Sequence, residues 1–152
     1  MKLRACLIGA SKTGKSHFIS KLKNYHFTTY KSTIGVDFCT YEKGEDRISI
    51  WDTSGSDNFR SITYNFVHSV NILMCMYNSK ESAEWLQNYL DTMENDSIEK
   101  IIFIYHDVMH EINTKIENHS IACTFTRKNI QDCIDFIIKI NKKEKQRSYC
   151  FW

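Results

Sequence analysis

The chain has 152 residues, 42% of them hydrophobic and 25% charged, with a formal charge of +2. That is enough for one domain with a real core, cramped for two, and too ordinary in composition for wholesale disorder. A balance this close to neutral does not argue for a nucleic-acid binder, which usually carries a strongly basic patch.

The opening stretch MKLRACLIGA lacks the long apolar segment of a signal peptide, and no apolar run reaches the length needed to span a bilayer. Residues 3–10 read as a short buried strand ended by Gly9. The stretch GASKTGKS then meets the pattern G-x-x-x-x-G-K-[ST] with Gly9, Gly14, Lys15 and Ser16. Such a loop turns its backbone N–H groups inward as a nest for phosphate oxygens, and the helix after it points its positive end at the same place. Lys15 would neutralise the outer phosphates, and Ser16 would give its hydroxyl to Mg²⁺. A glycine-containing turn with a solvated lysine is the plainer reading. The flanking strand and helix supply the context the phosphate loop requires.

The helix after the loop carries Phe18, Ile19 and Leu22 at helical spacing within residues 15–27. Residues 31–52 read as two strands around a turn at Lys43 to Asp46. Residues 70–78 form a second buried strand. Residues 82–94 are helical, capped by Ser82, with Leu86, Tyr89, Leu90 and Met93 on one face. Residues 99–107 form a third buried strand, and a short fourth falls within residues 117–126. A closing helix over residues 129–146 turns Ile130, Ile134, Ile137 and Ile138 inward. Alternating strands and helices after the first hairpin predict an α/β domain with a mostly parallel sheet and helices on both faces. Ligands in such sheets bind at the carboxyl ends of the strands, where GASKTGKS lies.

Six cysteines (Cys6, Cys39, Cys75, Cys123, Cys133 and Cys150) show no C-x-x-C spacing, which suits buried, inert thiols in a reducing compartment. His106, His110 and His119 are too irregularly spaced to suggest a metal site, and solvated histidines are the better reading. The chain has no proline and no internal repeat.

Three further stretches carry a family resemblance. YKSTIGVDF (residues 30–38) resembles the first switch region of Rab-type small GTPases of the Ras superfamily. WDTSGSDNFRSIT (residues 51–63) resembles their second, whose usual form is WDTAGQE followed by FRSIT. CMYN and the helix after it resemble their fourth strand and third helix. The likeness runs from Leu3 to about Leu90 and then fades. It implies a P-loop, Ras-like fold with a six-stranded sheet, shortened before the last strand. It implies a single G domain over residues 1–145 and a short tail over 146–152. GTP or GDP with Mg²⁺ is the implied ligand. Gly9, Ser11, Lys12, Thr13, Gly14, Lys15, Ser16, His17, Thr33, Asp52 and Gly55 are the implied nucleotide-binding residues. Ser16, Thr33 and Asp52 would hold the metal, Asp52 through water, and the Gly55 N–H would reach the γ-phosphate. Lys15 and Ser56 occupy catalytic positions.

The family presents an aromatic triad to its partners between the switches. Here Phe38, Trp51 and Phe66 fill those positions, with Ile34 beside them, and Phe66 stands where tyrosine is usual. Exposed aromatics make good interface anchors, and Trp51 beside a sheet also suits a core role. Rab-type effectors or exchange factors are therefore the expected partners.

The chain also departs from the family. Ser56 replaces the glutamine that orients the attacking water, so hydrolysis should be slow. Lys12 is an unusual residue for its place and adds a cation to the loop. The base-reading Asn-Lys-x-Asp motif aligns with Tyr105, His106, Asp107 and Val108. Unpaired base donors would cost ~1–3 kcal/mol each and weaken guanine preference. A shift of one residue would bring Asp107 into the aspartate slot and leave Ile104 where asparagine belongs. Phe125, Thr126 and Arg127 fall near the second base loop. Cys150 is third from the end and does not fit a prenylation box, so no stable membrane anchor is expected. Lys142, Lys143, Lys145 and Arg147 with Phe151 and Trp152 could graze an anionic surface, although a solvated helix end is the default. The expectation is a cytoplasmic monomer, at most peripheral to membranes. It is a GTP-dependent switch linked to vesicle trafficking, with an interaction module lacking a nucleotide cycle as the alternative. An ATPase on the same loop is a weaker third.

Overall fold

Side chains along a strand alternate between the two faces of its sheet, and the first strand shows what that does here. A computed structural model describes residues 2–23, 33–70, 72–93, 100–106, 122–125 and 130–148. In it β1 spans Lys2–Ile8. Leu3, Ala5 and Leu7 point into one apolar cluster, while Cys6 and Ile8 point into another. Both faces of the strand are therefore covered, as a central strand requires.

The other elements build the two layers. Helix α1 (Lys15–Leu22) follows the glycine-rich turn, and an antiparallel hairpin of β2 (Val36–Lys43) and β3 (Asp46–Thr53) comes next. A single 3₁₀ turn over Asp57–Phe59 leads into α2 (Arg60–Val67). Then come β4 (Ile72–Tyr77), α3 (Lys80–Asp91), β5 (Lys100–His106), β6 (Ala122–Phe125) and α4 (Ile130–Ser148). The sheet has six strands in the order β2-β3-β1-β4-β5-β6, parallel throughout except for β2. This is the predicted Ras-like α/β sheet.

One cluster buries Phe18 and Ile19 of α1 with Ile134, Ile137 and Ile138 of α4. The other buries Val67 of α2 with Leu86, Tyr89 and Leu90 of α3. Helices thus lie on both faces, and each fully buried large side chain contributes about 2 kcal/mol of transfer free energy. The predicted inward residues of α3 and α4 are buried, apart from Ile130, whose side chain lies outside those described. Hydrogen-bonded ion pairs Lys43–Asp135 and Lys142–Asp46 tie α4 to the hairpin turn.

One expectation needs correction and one element was missed. Helix α3 begins at Lys80, and its cap is Ser79, not Ser82. Ser79 Oγ accepts from the Ser82 N–H at 3.2 Å, and Ser82 Oγ accepts from the Ser79 N–H at 2.9 Å. Ser82 is thus the third helical residue of a capping box, a place that serine fills as well as the cap itself. Helix α2 also has no counterpart among the elements read from periodicity. Ile62 and Tyr64 are exposed on it and Thr63 is buried, so its apolar residues trace no clean stripe. The shortened segment before the last strand, the base-motif residues Asp107 and Val108, Thr126, Arg127 and the tail beyond residue 148 lie outside the described residues.

Cys6, Cys39, Cys75 and Cys133 are buried free thiols. Burial pushes Cys6 and Cys75 well up and Cys39 up to about 11, so these thiols stay protonated and inert. Among the described residues no helix is long and apolar enough to cross a membrane, and no cluster of three His, Cys, Asp or Glu side chains could hold a metal.

Candidate nucleotide site

The phosphate loop lies between the end of β1 and the start of α1, and its path is set by close backbone approaches. A Cβ on Gly9 would sit 2.2 Å from the Met76 carbonyl oxygen, so only glycine lets β1 and β4 run this close together. A Cβ on Gly55 would sit 2.5 Å from both Ala10 C and Ser11 N. Gly55 is therefore pressed against the loop backbone. Thr13 Oγ1 donates to Ala10 O at 2.9 Å and closes the turn from inside. Thr53 Oγ1 donates to Leu7 O at 2.8 Å and ties β3 to β1 beneath it.

Lys15 is buried in this loop. Its Nζ donates to Gly9 O at 2.7 Å and Ala10 O at 2.8 Å, leaving a third N–H for another acceptor. Burial lowers its pKa to about 8, against the pull of Asp52. Asp52, 1% exposed at the end of β3, is raised to about 6 by the same desolvation. Burial outweighs the mutual attraction of the two charges at both groups.

Three oxygens converge beside that lysine. Ser16 Oγ donates to Asp52 Oδ2 at 2.9 Å and lies 2.9 Å from Thr33 Oγ1, which is 3.5 Å from the same carboxylate oxygen. Asp52 Oδ1 is buried with no hydrogen-bond partner. A buried carboxylate oxygen of this kind is costly, and a hard divalent cation bound through oxygen would offset it. Two hydroxyls and a carboxylate with a spare oxygen, from Ser16, Thr33 and Asp52, form a donor set that fits Mg²⁺.

A pocket of about 160 Å³ opens over these groups. Ser11, Lys12, Gly14, Lys15, Ser16 and His17 line it from the loop side, and Thr33, Gly55 and Ser56 from the switch side. Gly9 and Thr13 shape the loop from beneath, and Asp52 lies under the converging hydroxyls. The loop has thus kept open space over its side chains. Ser56 has its backbone N–H directed to Ser54 Oγ at 3.3 Å, and the Ser54 N–H donates to Gly35 O at 3.0 Å. That second bond links the two switch segments.

Of the residues expected to meet partners, Phe38 and Trp51 lie on the hairpin, Ile34 just before it and Phe66 on α2. Ile34 is 85% exposed and Phe38 46%. Phe38 pairs across the strands with Trp51, ring centroids 5.2 Å apart. Trp51 and Phe66 are half-buried and pack on the α2–α3 cluster, so Trp51 has the core contacts that its place beside the sheet suggested. Asp37 beside them bonds Lys23 Nζ at 2.9 Å.

Two site residues escaped the sequence. Asn78 Nδ2 donates to Lys12 O at 3.0 Å across 66 positions, and nothing in CMYN hints at it. Ser54 was legible as the replacement of alanine in WDTAG, but its hydroxyl's use as an acceptor for Ser56 was not.

Comparison with known proteins gives one family match and several relatives. The family Roc, "Ras of Complex, Roc, domain of DAPkinase", matches residues 4–113, well over half of the chain. "Ras-related protein Rab-1C" of Dictyostelium discoideum is 35% identical over 112 residues, covering 67% of this chain and 56% of that protein. "GTP-binding protein YPTM1" of Zea mays is 33% identical over 106 residues, 63% of this chain and 51% of its own length. "Ras-related protein Rab7" of Pisum sativum is 35% identical over 94 residues, 57% of this chain and 46% of its own length. The chain spans about half the length of the curated relatives it matches.

Proposed function

This chain belongs to the Ras-like small GTPases as a divergent Rab-type member, and we propose that it binds GTP and GDP with Mg²⁺ as a molecular switch whose own hydrolysis is slow. The observation that carries the proposal is the meeting of Ser16, Thr33 and Asp52 within hydrogen-bonding distance beside buried Lys15. These groups come from the loop, the first switch and the end of β3. A shared cationic ligand would account for the buried carboxylate oxygen left without a partner at this point.

Each residue has a task in that reading. Lys15 keeps one N–H for a phosphate oxygen while two hold the loop shut around it. The positive end of α1 and the loop N–H groups supply the rest of the anion cradle. Ser16, Thr33 and Asp52 would hold Mg²⁺, which would supply positive charge against the charge developing on the phosphates. Gly55 offers its N–H at the outer phosphate. Hydrolysis needs a water held in line with the γ-phosphorus, and Ser56 is too short to reach across as glutamine does. A long-lived GTP form follows, suited to holding Rab-type effectors or exchange factors on Ile34, Phe38, Trp51 and Phe66 during vesicle trafficking. Residues 1–145 acting as one G domain, a cytoplasmic location at most peripheral to membranes, and a monomeric state belong to the same proposal.

The test is calorimetric titration of nucleotide-stripped protein with GTP, GDP and ATP, with Mg²⁺ and with EDTA. Phosphate release is followed alongside. GTP and GDP should bind in a Mg²⁺-dependent way with turnover below that of glutamine-bearing relatives. Failure to bind any triphosphate at high micromolar concentration rejects the switch and leaves an interaction module without a nucleotide cycle. Preference for ATP would point to the ATPase.

A further inference from the structure

Lys12 holds a backbone conformation that side-chain-bearing residues avoid. Its φ is 65°, and among the described residues it alone, glycines aside, has a positive φ. Glycine would take this conformation without strain. The lysine is held there from outside the loop. Asn78 Nδ2 donates to Lys12 O at 3.0 Å. Asn78 is itself tied to α3, since its backbone N–H donates to Ser82 Oγ at 3.0 Å, and its Oδ1 lies 3.3 Å from that hydroxyl, whose proton it shares with Ser79 O. Ser82 belongs to the capping box of α3. A line of hydrogen bonds therefore runs from the first turn of α3 to the strained residue.

What this arrangement produces is a second cation on the wall of the phosphate pocket. The Lys12 side chain is exposed and lines that pocket with Lys15. Among the described residues no carboxylate pairs with it. Lys15 has committed two of its N–H groups to the loop, whereas the ammonium of Lys12 keeps its donors for a ligand. We propose that Lys12 is an additional phosphate-binding residue for the tail of a nucleoside di- or triphosphate, and that Asn78 is the residue that positions it. The proposal rests on nucleotide binding at this site and adds to it that affinity leans on the phosphates. An exposed cation acts through solvent, so its contribution should also fall with ionic strength.

The experiment titrates the full chain with GTP, GDP and GMP in Mg²⁺ at low and high salt, and records thermal unfolding of the same samples without nucleotide. Lys12→Gly removes the charge and relieves the backbone. It should raise the midpoint by about 2 °C while weakening GTP about tenfold, the loss expected for one charge-assisted contact. GMP should be little affected, and the salt dependence of GTP binding should flatten. Lys12→Arg should bind GTP as the unaltered chain does. Asn78→Ala should weaken GTP in the presence of Lys12 and cost little more in the Lys12→Gly background. A Lys12→Gly chain that binds GTP as tightly as the unaltered one, with the same salt dependence, overturns the role of Lys12 and leaves the switch reading standing. An equal loss from Asn78→Ala in both backgrounds overturns its positioning role. No GTP binding by the unaltered chain overturns both this inference and the proposed function.

Discussion

The phosphate loop and the outer face of the hairpin are built on opposite terms. In the loop Gly9, Thr13 and Lys15 are buried, and the loop's path is fixed by close approaches and hydrogen bonds. Gly9 touches Met76, Gly55 touches Ala10, Lys15 bonds two carbonyls, and Asn78 holds Lys12. On the hairpin side, Ile34 and Phe38 are exposed, and the Phe38 ring packs beside Trp51. Buried polar groups must be satisfied by one another, so they specify each other's places. Exposed apolar groups are left free to be chosen by what binds them. One region can be damaged only together with its surroundings, while the other can be altered with the fold intact.

Substitutions graded by expected effect can break that contrast or sharpen it. The largest belongs to Gly9→Ala, which drives a methyl group into the Met76 carbonyl. It should cost about 3 kcal/mol or more, since backbone on both sides must move, and thermal unfolding reads it directly. If Gly9→Ala unfolds at the parent temperature, the loop is not over-determined as described. Next is Asp52→Asn, which keeps the shape and removes the charge. GTP affinity in Mg²⁺ should fall about a hundredfold, by loss of a charged ligand of the cation. The midpoint in EDTA should hold or rise, because burial already opposes the ionised carboxylate. A fall in both would make Asp52 a structural residue.

Ser56→Gln comes third. Restoring a side chain long enough to hold a water should speed single-turnover phosphate release about tenfold, and an unchanged rate would place the slow step elsewhere. The smallest change in the chain's own properties is expected of Phe38→Ala. The aromatic pair with Trp51 is worth about 1 kcal/mol, so the midpoint should drop only slightly and nucleotide affinity should not move. Capture of a Rab-type effector should be lost all the same. Retention of capture would remove this face from the partner surface.

How far the sequence could be read follows from the same contrast. The strand of residues 3–10 and the helix faces of Phe18, Leu86 and Ile134 were legible because periodicity is local and burial obeys it. Gly9, Gly14, Lys15 and Ser16 were legible because a phosphate nest needs those types at that spacing. Helix α2 was not, since its exposed Ile62 and Tyr64 blur the pattern. Nor was Ser79 as the cap of α3, because two serines three positions apart fit a cap equally well until the hydrogen bonds are seen.

From residue order alone came the α/β class, the phosphate loop and, through resemblance, the metal ligands, since all are written in short runs with their own spacing. Folding alone brought Asp52 to Ser16 across 36 positions and Asn78 to Lys12 across 66. Folding also set the charge balance of Lys15 against Asp52 by taking both from water. Hydrogen bonds and desolvation act through space, and a chain's local pattern holds no record of which distant group will arrive.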